Sequence, residues 1–339
     1  MSSPQHAPPT EGAAAATQAI AVGSGAGAER VPLVYVLILN YDSLDDTLAC
    51  VDCVRASDHP NLRVLVIDNA SPDGSGRELA RRLPASEFLQ LDTNTGYAGG
   101  NNAGFELALR AGADHVFVLN PDVRVDPATI SACVEVAESA DDVGAVNPVQ
   151  LEHDGRTIDG KFWRTVLRPT GQPGPAYGDR PLPDAVEARE LLGAALFMSR
   201  RALEKVGGFD PLFFAYGEET DLCRRIQHHG LRLLVSGKAP IRHLRTKEST
   251  GVSDFVLFLR LKGLYLGILK DPRQPLRRGA RELTRRILRD LAGFSQGVYP
   301  FNQYAVTRRH TLRAVAWVIR HFGQIRRHRQ LALEGRAHV

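Results

Sequence analysis

From residue 33 the chain alternates short apolar runs of strand character with longer stretches whose apolar residues recur at helical spacing. LVYVLILNY (33–41) reads as a buried strand ending at Asn40, residues 44–57 as a helix, and LRVLVIDNAS (62–71) as a second strand closing on Asp68-Asn69. A helix around 75–83 leads to a strand near 87–91, and the glycine-rich turn NTGYAGGNNAG (94–104) opens a helix at about 99–111. A strand at 115–119, a helix at 127–139 and a strand near 143–149 follow. Repeated β-α units of this kind predict an α/β fold, a mostly parallel sheet with helices on both faces.

Polar residues gather where these strands stop. Asn40, Asp68, Asn94, Asn120 and Asp122 all fall at or just past the C-terminal ends of successive strands. Residues that merely interrupt a core would scatter, whereas open α/β sheets bind ligands along that edge. VFVLNPDVRV (116–125) is the sharpest case. Residues two apart in an extended chain share a side, and Pro121 fixes φ and removes a donor, so the strand ends there. Asn120 and Asp122 are thereby placed together at the mouth of the sheet. Gly96, Gly99, Gly100 and Gly104 lack the G-x-G-x-x-G spacing and come after the third strand, which argues against a dinucleotide fingerprint. They suit close approach of backbone to a ligand or a helix.

Residues 151–185 are rich in Gly and Pro and read as irregular, and 200–206 as a short helix. Glu218, Glu219 and Asp221 then open a helix running to about His229, behind Phe213, Phe214 and Tyr216. Acids suit a helix N-terminus, but three in four residues exceed what capping needs, and a carboxylate here can serve as general base. After a strand at 231–235, His243 is placed on a loop, where a histidine is a ligand only if carboxylates converge on it.

Charge divides the chain. Residues 31–250 carry 23 Lys and Arg against 31 Asp and Glu, while residues 251–339 carry 18 against 5. Two stretches of the basic part, RELTRRILRDLAGF and TLRAVAWVIRHFGQIRRH, interleave arginines with apolar residues as basic amphipathic helices do. Such helices lie on an anionic membrane surface rather than cross it; no nucleic-acid-binding module is recognisable. The first 30 residues, rich in Ala, Gly, Ser and Pro, lack the features of a signal peptide and read as a disordered leader of a protein kept in the cytoplasm. Cys50 and Cys53 form a C-x-x-C without the second pair of a zinc ribbon, and read as small apolar residues of a helix in a reducing compartment. The expected organisation is a leader at 1–30, a catalytic domain at 31–250 and a basic helical tail at 251–339.

Taken in order, LNYDS (39–43), VIDNASPDGS (66–75), NTGYAGGNNAG (94–104), LNPDV (119–123), GGFDPLFFAYGEETDLCRR (207–225) and His243 resemble the family 2 inverting glycosyltransferases of GT-A fold, in particular their rhamnosyltransferase-like branch. The resemblance implies that Asp68 reads the nucleobase of a nucleotide-sugar donor, that Asn40 and Asn69 line the same pocket, and that Asn94 and the Gly96–Gly100–Asn101 turn border the nucleotide and sugar. Asn120-Pro121-Asp122 takes the place of the family's D-x-D motif, so Asp122, with His243, is expected to hold Mg²⁺ or Mn²⁺ on the donor diphosphate. A hard divalent cation stabilises the charge of such a leaving group. Glu218-Glu219 stand where the family has Glu-Asp, which puts Glu219 in the place of the base, with Asp221 supporting the helix start or the acceptor side. The implied donor is dTDP-rhamnose or a UDP-sugar, and the implied acceptor a glycan or lipid-linked hydroxyl of the cell envelope. Two other readings are a sugar-nucleotide pyrophosphorylase, whose glycine-rich loop after the first strand is missing, and a catalytically silent nucleotide-sugar-binding scaffold.

Overall fold

The structure, a computed structural model, describes residues 30–172, 174, 176–177, 182–245, 253–293 and 306–336. The expected leader falls almost wholly outside these residues. A nine-stranded sheet forms the frame, with strands β1 (Val34–Asn40), β2 (Leu62–Asp68), β3 (Phe88–Gln90), β4 (His115–Leu119), β5 (Val123–Val125), β6 (Val143–Leu151), β7 (Ala185–Ala188), β8 (Ala195–Ser199) and β9 (Arg232–His243). The helices are α1 (Leu44–Arg55), α2 (Ser75–Arg82), α3 (Gly96–Arg110), α4 (Thr129–Ala137), the short α5 (Gly160–Phe162), α6 (Arg200–Val206), α7 (Glu218–His228), α8 (Asp254–Lys270), α9 (Leu276–Leu291), α10 (Arg308–Arg320) and α11 (Phe322–Glu334).

The strand order is β3-β2-β1-β4-β8-β6-β9-β5, with β7 also on β9. Its first half is parallel, as the β-α repeat predicts, and the register sets Asn40 beside Asp68 and Ile38 beside Leu119. The C-terminal ends of β1, β2 and β4 therefore share one edge. Beyond β4 the sheet is mixed: β8 runs antiparallel to both β4 and β6, and β5 and β7 antiparallel to β9. β9, reached from β8 through α6 and α7, again pairs in parallel, with β6, so only β5, β7 and β8 run against the rest; β5 turns back three residues after β4, too short for the crossover that parallel pairing requires. Two apolar layers, one on each face of the sheet, bury all of β4, β1 except Tyr35 and β8 except Ser199. Cys50 lies buried on α1, and all four cysteines are free thiols.

β9 is longer than its apolar pattern suggests. Gly237 and Pro240 read as a strand end, but the β6–β9 pairing takes an irregularity between Pro148 and Val149 and then continues to Arg242. His243 is consequently the last residue of a strand, not part of a loop. The C-terminal helices pack on the same compact unit as the sheet. α8 is mostly buried, covered by residues of α9, α10 and α11 around Tyr265, Leu283, Ala314, Val318 and Ile325. The stretch expected to form one helix at 311–328 is broken at His321, between α10 and α11.

Candidate active site

Pairing of β5 with β9 sets Val123 opposite His243. The imidazole Nε2 of His243 lies 3.5 Å from Asp122 Oδ1, and the Leu244 amide donates to the Asp122 carbonyl. Burial acts to raise the pKa of Asp122, but the hydrogen bond and charge of His243 outweigh it and hold the carboxyl below its usual range. The Asn120 amide donates to Ala194 O at the start of β8, which ties the Asn-Pro-Asp turn to the Leu192-Gly193-Ala194 segment. That segment is clamped by Asn147 on β6. Its side-chain amide donates to Leu192 O and Ala195 O, and its carbonyl accepts from Leu192 N at 2.7 Å.

These pieces wall a cleft of about 290 Å³ that also takes in Tyr97, Gln150, Lys161, Tyr216, Glu218, Glu219 and Arg245. Asn120, His243, Glu218 and Glu219, predicted from three separate motifs, thus meet on one cavity. Three of its side chains carry buried polar atoms with no hydrogen-bond partner in the protein: Gln150 at both Oε1 and Nε2, Glu218 at Oε2 and His243 at Nδ1. Burying such groups unpaired is costly, and their convergence on one cavity marks where a polar ligand belongs. Burial, and then the charge of Glu219, push the Glu218 carboxyl well above the ordinary range, which favours its protonated form. Glu219 is half-buried, one oxygen accepting from the Gly217 amide that precedes the helix.

The loop before α7 is strained. Phe214 and Tyr216 both have positive φ (62° and 69°) without being glycine. It is held from two sides. The Lys262 ammonium of α8 donates to Leu212 O and Phe213 O, and the Ala98 amide of α3 donates to Phe214 O. Gly96, at φ 73°, is needed at that contact, because a Cβ there would lie 2.3 Å from Phe214 O.

Several expected site residues lie elsewhere. Asn40 is fully buried. Its amide donates to Asp68, Ser71 and Ser75 and its carbonyl accepts from Thr47, so it positions Asp68 rather than lining a pocket. The Asp68 carboxylate accepts from Asn40, Ser71 and the exposed Gln90. Asn69 braces the turn of residues 94–96 through Asn94 Oδ1, Gly96 O and the Thr95 amide. Gly100 and Asn101 do not line the cleft. Gly100 lets α3 pack onto Leu39 of β1, and Asn101, fully buried, donates to Tyr97 O within its own helix. Asp221 is a further correction. It is 2% exposed and spent on Arg225 (2.8 Å) and Lys270 (2.9 Å), whose charges hold it low against the opposing effect of burial. It belongs to a buried ionic cluster that also includes Asp210 and His328. Asn147, Gln150, Tyr97, Lys161 and Arg245 were not singled out from the sequence. The one local signal was the second Asn-Pro, at 147–148, which repeats the Asn120-Pro121 step on β6, one strand beyond the neighbour of β4.

Comparison with known proteins bears on this arrangement. Residues 35–207 match the family described as Glycosyl transferase family 2. The chain belongs to that family. Residues 184–247 also match the family described as the N-terminal domain of galactosyltransferase. The N-acetylglucosaminyl-diphospho-decaprenol L-rhamnosyltransferase of Mycobacterium tuberculosis is 30% identical over 222 residues, covering 58% of this chain and 70% of that protein. The galactofuranosyltransferase GlfT1 of the same organism is 27% identical over 209 residues, 58% of this chain and 66% of that one. Among solved structures, the mannosyltransferase PcManGT of Pyrobaculum calidifontis, in complex with GDP-Man and Mn²⁺, superposes with a TM-score of 0.53 at 16% identity over 87% of this chain and 88% of its own. The fold is GT-A and the protein a family 2 glycosyltransferase, similar to a rhamnosyltransferase that acts on N-acetylglucosaminyl-diphospho-decaprenol. The pyrophosphorylase reading is thereby set aside.

Proposed function

We propose that this glycosyltransferase moves a sugar, with inversion at the anomeric carbon, from a nucleoside-diphosphate donor to a hydroxyl of a lipid-linked glycan acceptor of the cell envelope. The observation that carries the reading is the meeting, on one cleft, of the Asp122–His243 pair with Glu218, Glu219 and the unpartnered amide of Gln150. The related rhamnosyl- and galactofuranosyltransferases support the reaction class; the donor we assign is dTDP-rhamnose or a UDP-sugar.

The donor set fits a divalent cation. Asp122 supplies one carboxylate and His243 one imidazole with an unpartnered Nδ1, and no group of three acidic, histidine or cysteine side chains stands ready among the described residues. So sparse a set suits Mg²⁺ or Mn²⁺, which complete their shell with phosphate oxygens and water. Asp122 and His243 would hold the ion, which would supply positive charge against the departing diphosphate; Asn120 and His243 share the cleft wall. Asp68 meets the nucleobase once the exposed Gln90 amide swings aside. Glu218, protonated, and Gln150 hold hydroxyls of the transferred sugar and keep its anomeric carbon facing Glu219. The Glu219 carboxylate takes the proton of the acceptor hydroxyl as its oxygen bonds the anomeric carbon, while the bond to the diphosphate oxygen breaks and the nucleoside diphosphate departs.

Membrane docking belongs to the same reading. No helix of the described residues is long and apolar enough to cross a membrane. α10, however, exposes Leu312 (58%) and Ile319 (70%) one heptad apart, flanked by Arg309, Arg313 and Arg320, as an interfacial helix does. The protein would then act from the inner face of the cell membrane, where a lipid-linked acceptor is presented. The test of the reaction is a transfer assay with a panel of nucleotide sugars and an N-acetylglucosaminyl diphospholipid, followed by NMR of the product linkage. Inverted anomeric configuration is the expected result; retention, or hydrolysis without transfer, would refute it.

A further inference from the structure

The basic tail holds a cavity of its own, of about 620 Å³, walled by the start of α9 and by α11. It shares no residue with the cleft that contains Glu219. Pro275 and Leu276 line it on one side, and Arg326, Arg327, Arg329 and Leu333 on the other. No carboxylate is among the lining residues.

Positive charge is concentrated here without an answering charge. Arg329 is 7% exposed, and its guanidinium donates to Leu269 O, Asp271 O and Gln274 O, which fixes its charge in one wall of the cavity. Arg326 and Arg327 are exposed, and neither has a hydrogen-bond or ion-pair partner among the described residues. The N-terminus of α9 adds to the same field. The Arg278 and Gly279 amides both turn to Pro275 O, no side chain caps the helix, and its first turn carries Arg277 and Arg278 but no acid. A helix dipole favours anions at that end and opposes cations. Of the acids close in sequence, Asp271 is paired with Arg273, Glu282 accepts from the Gln274 amide, and Glu334 is paired with Arg336. Guanidinium groups left in this state suit an anion, and their planar forks match the oxygens of a phosphate.

The lining also has an apolar side. Leu276 and Leu333 are half-buried within it, and the exposed Ile319 and Phe322 directly precede Gly323, another of its lining residues. We propose that this cavity binds a phosphate ester that is not a substrate of the enzyme, with the phosphate at Arg326 and Arg327 beside the positive end of α9 and the organic part on Leu276 and Leu333. An anionic phospholipid headgroup and a free phosphorylated metabolite share that chemistry, and the test separates them. The site lies apart from the transferase cleft and does not depend on the reading of that cleft.

The test is calorimetric titration of the full chain with dihexanoyl phosphatidylglycerol, kept below its micelle-forming concentration so that no membrane surface is present. Dihexanoyl phosphatidylcholine and glycerol 3-phosphate are titrated in parallel. Arg326→Gln combined with Arg327→Gln removes both unpaired cations. Gly323→Leu fills the cavity where a Cβ meets open space, and leucine suits a helix better than glycine, so the fold is retained. Each change is expected to weaken binding of phosphatidylglycerol by about tenfold or more, the worth of a charge-assisted hydrogen bond or its exclusion. Arg309→Gln combined with Arg320→Gln removes the same charge from α10, outside the cavity, and is expected to leave affinity within about twofold. Preference for the phosphatidylglycerol over glycerol 3-phosphate assigns the site to a lipid headgroup, and equal binding of the two assigns it to a free phosphate; both support the site. Equal binding of phosphatidylcholine, affinity unchanged in both cavity variants, a loss as large in the α10 control, or no binding of either anionic probe by wild type overturns it.

Discussion

Replacing Gln150 by Met should make this protein more stable and a poorer enzyme. Gln150 is fully buried at the cleft, and neither amide atom has a partner in the protein. A buried polar group left unpaired costs about 1–3 kcal/mol, whereas an apolar side chain of the same shape avoids that cost. Methionine matches glutamine closely in volume, so little packing is lost. The resting protein should gain about 1–3 kcal/mol. With about 2–4 °C of Tm per kcal/mol in a domain of this size class, Tm should rise by about 2–12 °C. The sugar hydroxyl that Gln150 holds contributes about 0.5–1.5 kcal/mol, so kcat/KM should fall by about 2- to 13-fold. Thermal unfolding by calorimetry and steady-state transfer kinetics on the same preparation read both quantities. A lower Tm would mean that the amide is satisfied in the free protein, and the case for its waiting on a ligand would collapse. A higher Tm with unchanged kinetics would place the amide away from the sugar.

Glu219→Gln should lower kcat by about 10²- to 10⁴-fold with nucleotide-sugar affinity within about twofold; a fall in binding alone, seen by titration, would assign Glu219 to the donor instead. Lys270→Met leaves Asp210 and Asp221 buried without their cation and should cost about 3–5 kcal/mol in chemical denaturation, with kcat of the folded enzyme little changed. Collapse of kcat at unchanged stability would return Asp221 to a catalytic role. Glu218 keeps a proton in the folded state that the unfolded chain releases near pH 4.5, so folding stability should decline as pH rises above that value. Glu218→Gln removes the proton exchange and should flatten that decline in a Tm–pH series; an unchanged slope would show that Glu218 ionises normally.

What could be read from the sequence was what local chemistry marks. Asn120-Pro121-Asp122 ends a strand and Glu218-Glu219 opens a helix. Such boundaries carry residue types that a core segment does not tolerate, so their place at the sheet's edge followed from the β-α pattern. Gln150 escaped notice because it sits inside the apolar run of β6 with no flanking signal. Only the pairing of β6 with β9, which sets Gln150 beside Ile241, brings it to the site. Asp221 misled for the opposite reason. Its acidic neighbours suggested catalysis, but its partner Lys270 lies 49 residues on, at the end of a helix whose burial composition alone did not reveal. Gly100 and Asn101 belonged to a motif in the right place, yet a helix shows only one face to a cleft, and these two residues are on the face that packs on the sheet. The basic tail was legible as amphipathic helices. That its first helix, α8, is a wall of a cavity beside Glu219 was not, because the glycine stripe at 263 and 267 gains meaning only against Tyr216 and Arg224.

The most direct measurement is calorimetric titration of a nucleotide-sugar panel into the wild-type protein and Asp122→Ala, each with Mn²⁺ and with a chelator. Binding of at least one nucleotide sugar that needs Mn²⁺ in wild type, and that loses about tenfold or more in affinity in Asp122→Ala, is the predicted result. Binding indifferent to both metal and substitution would contradict the placing of the donor diphosphate at Asp122 and His243.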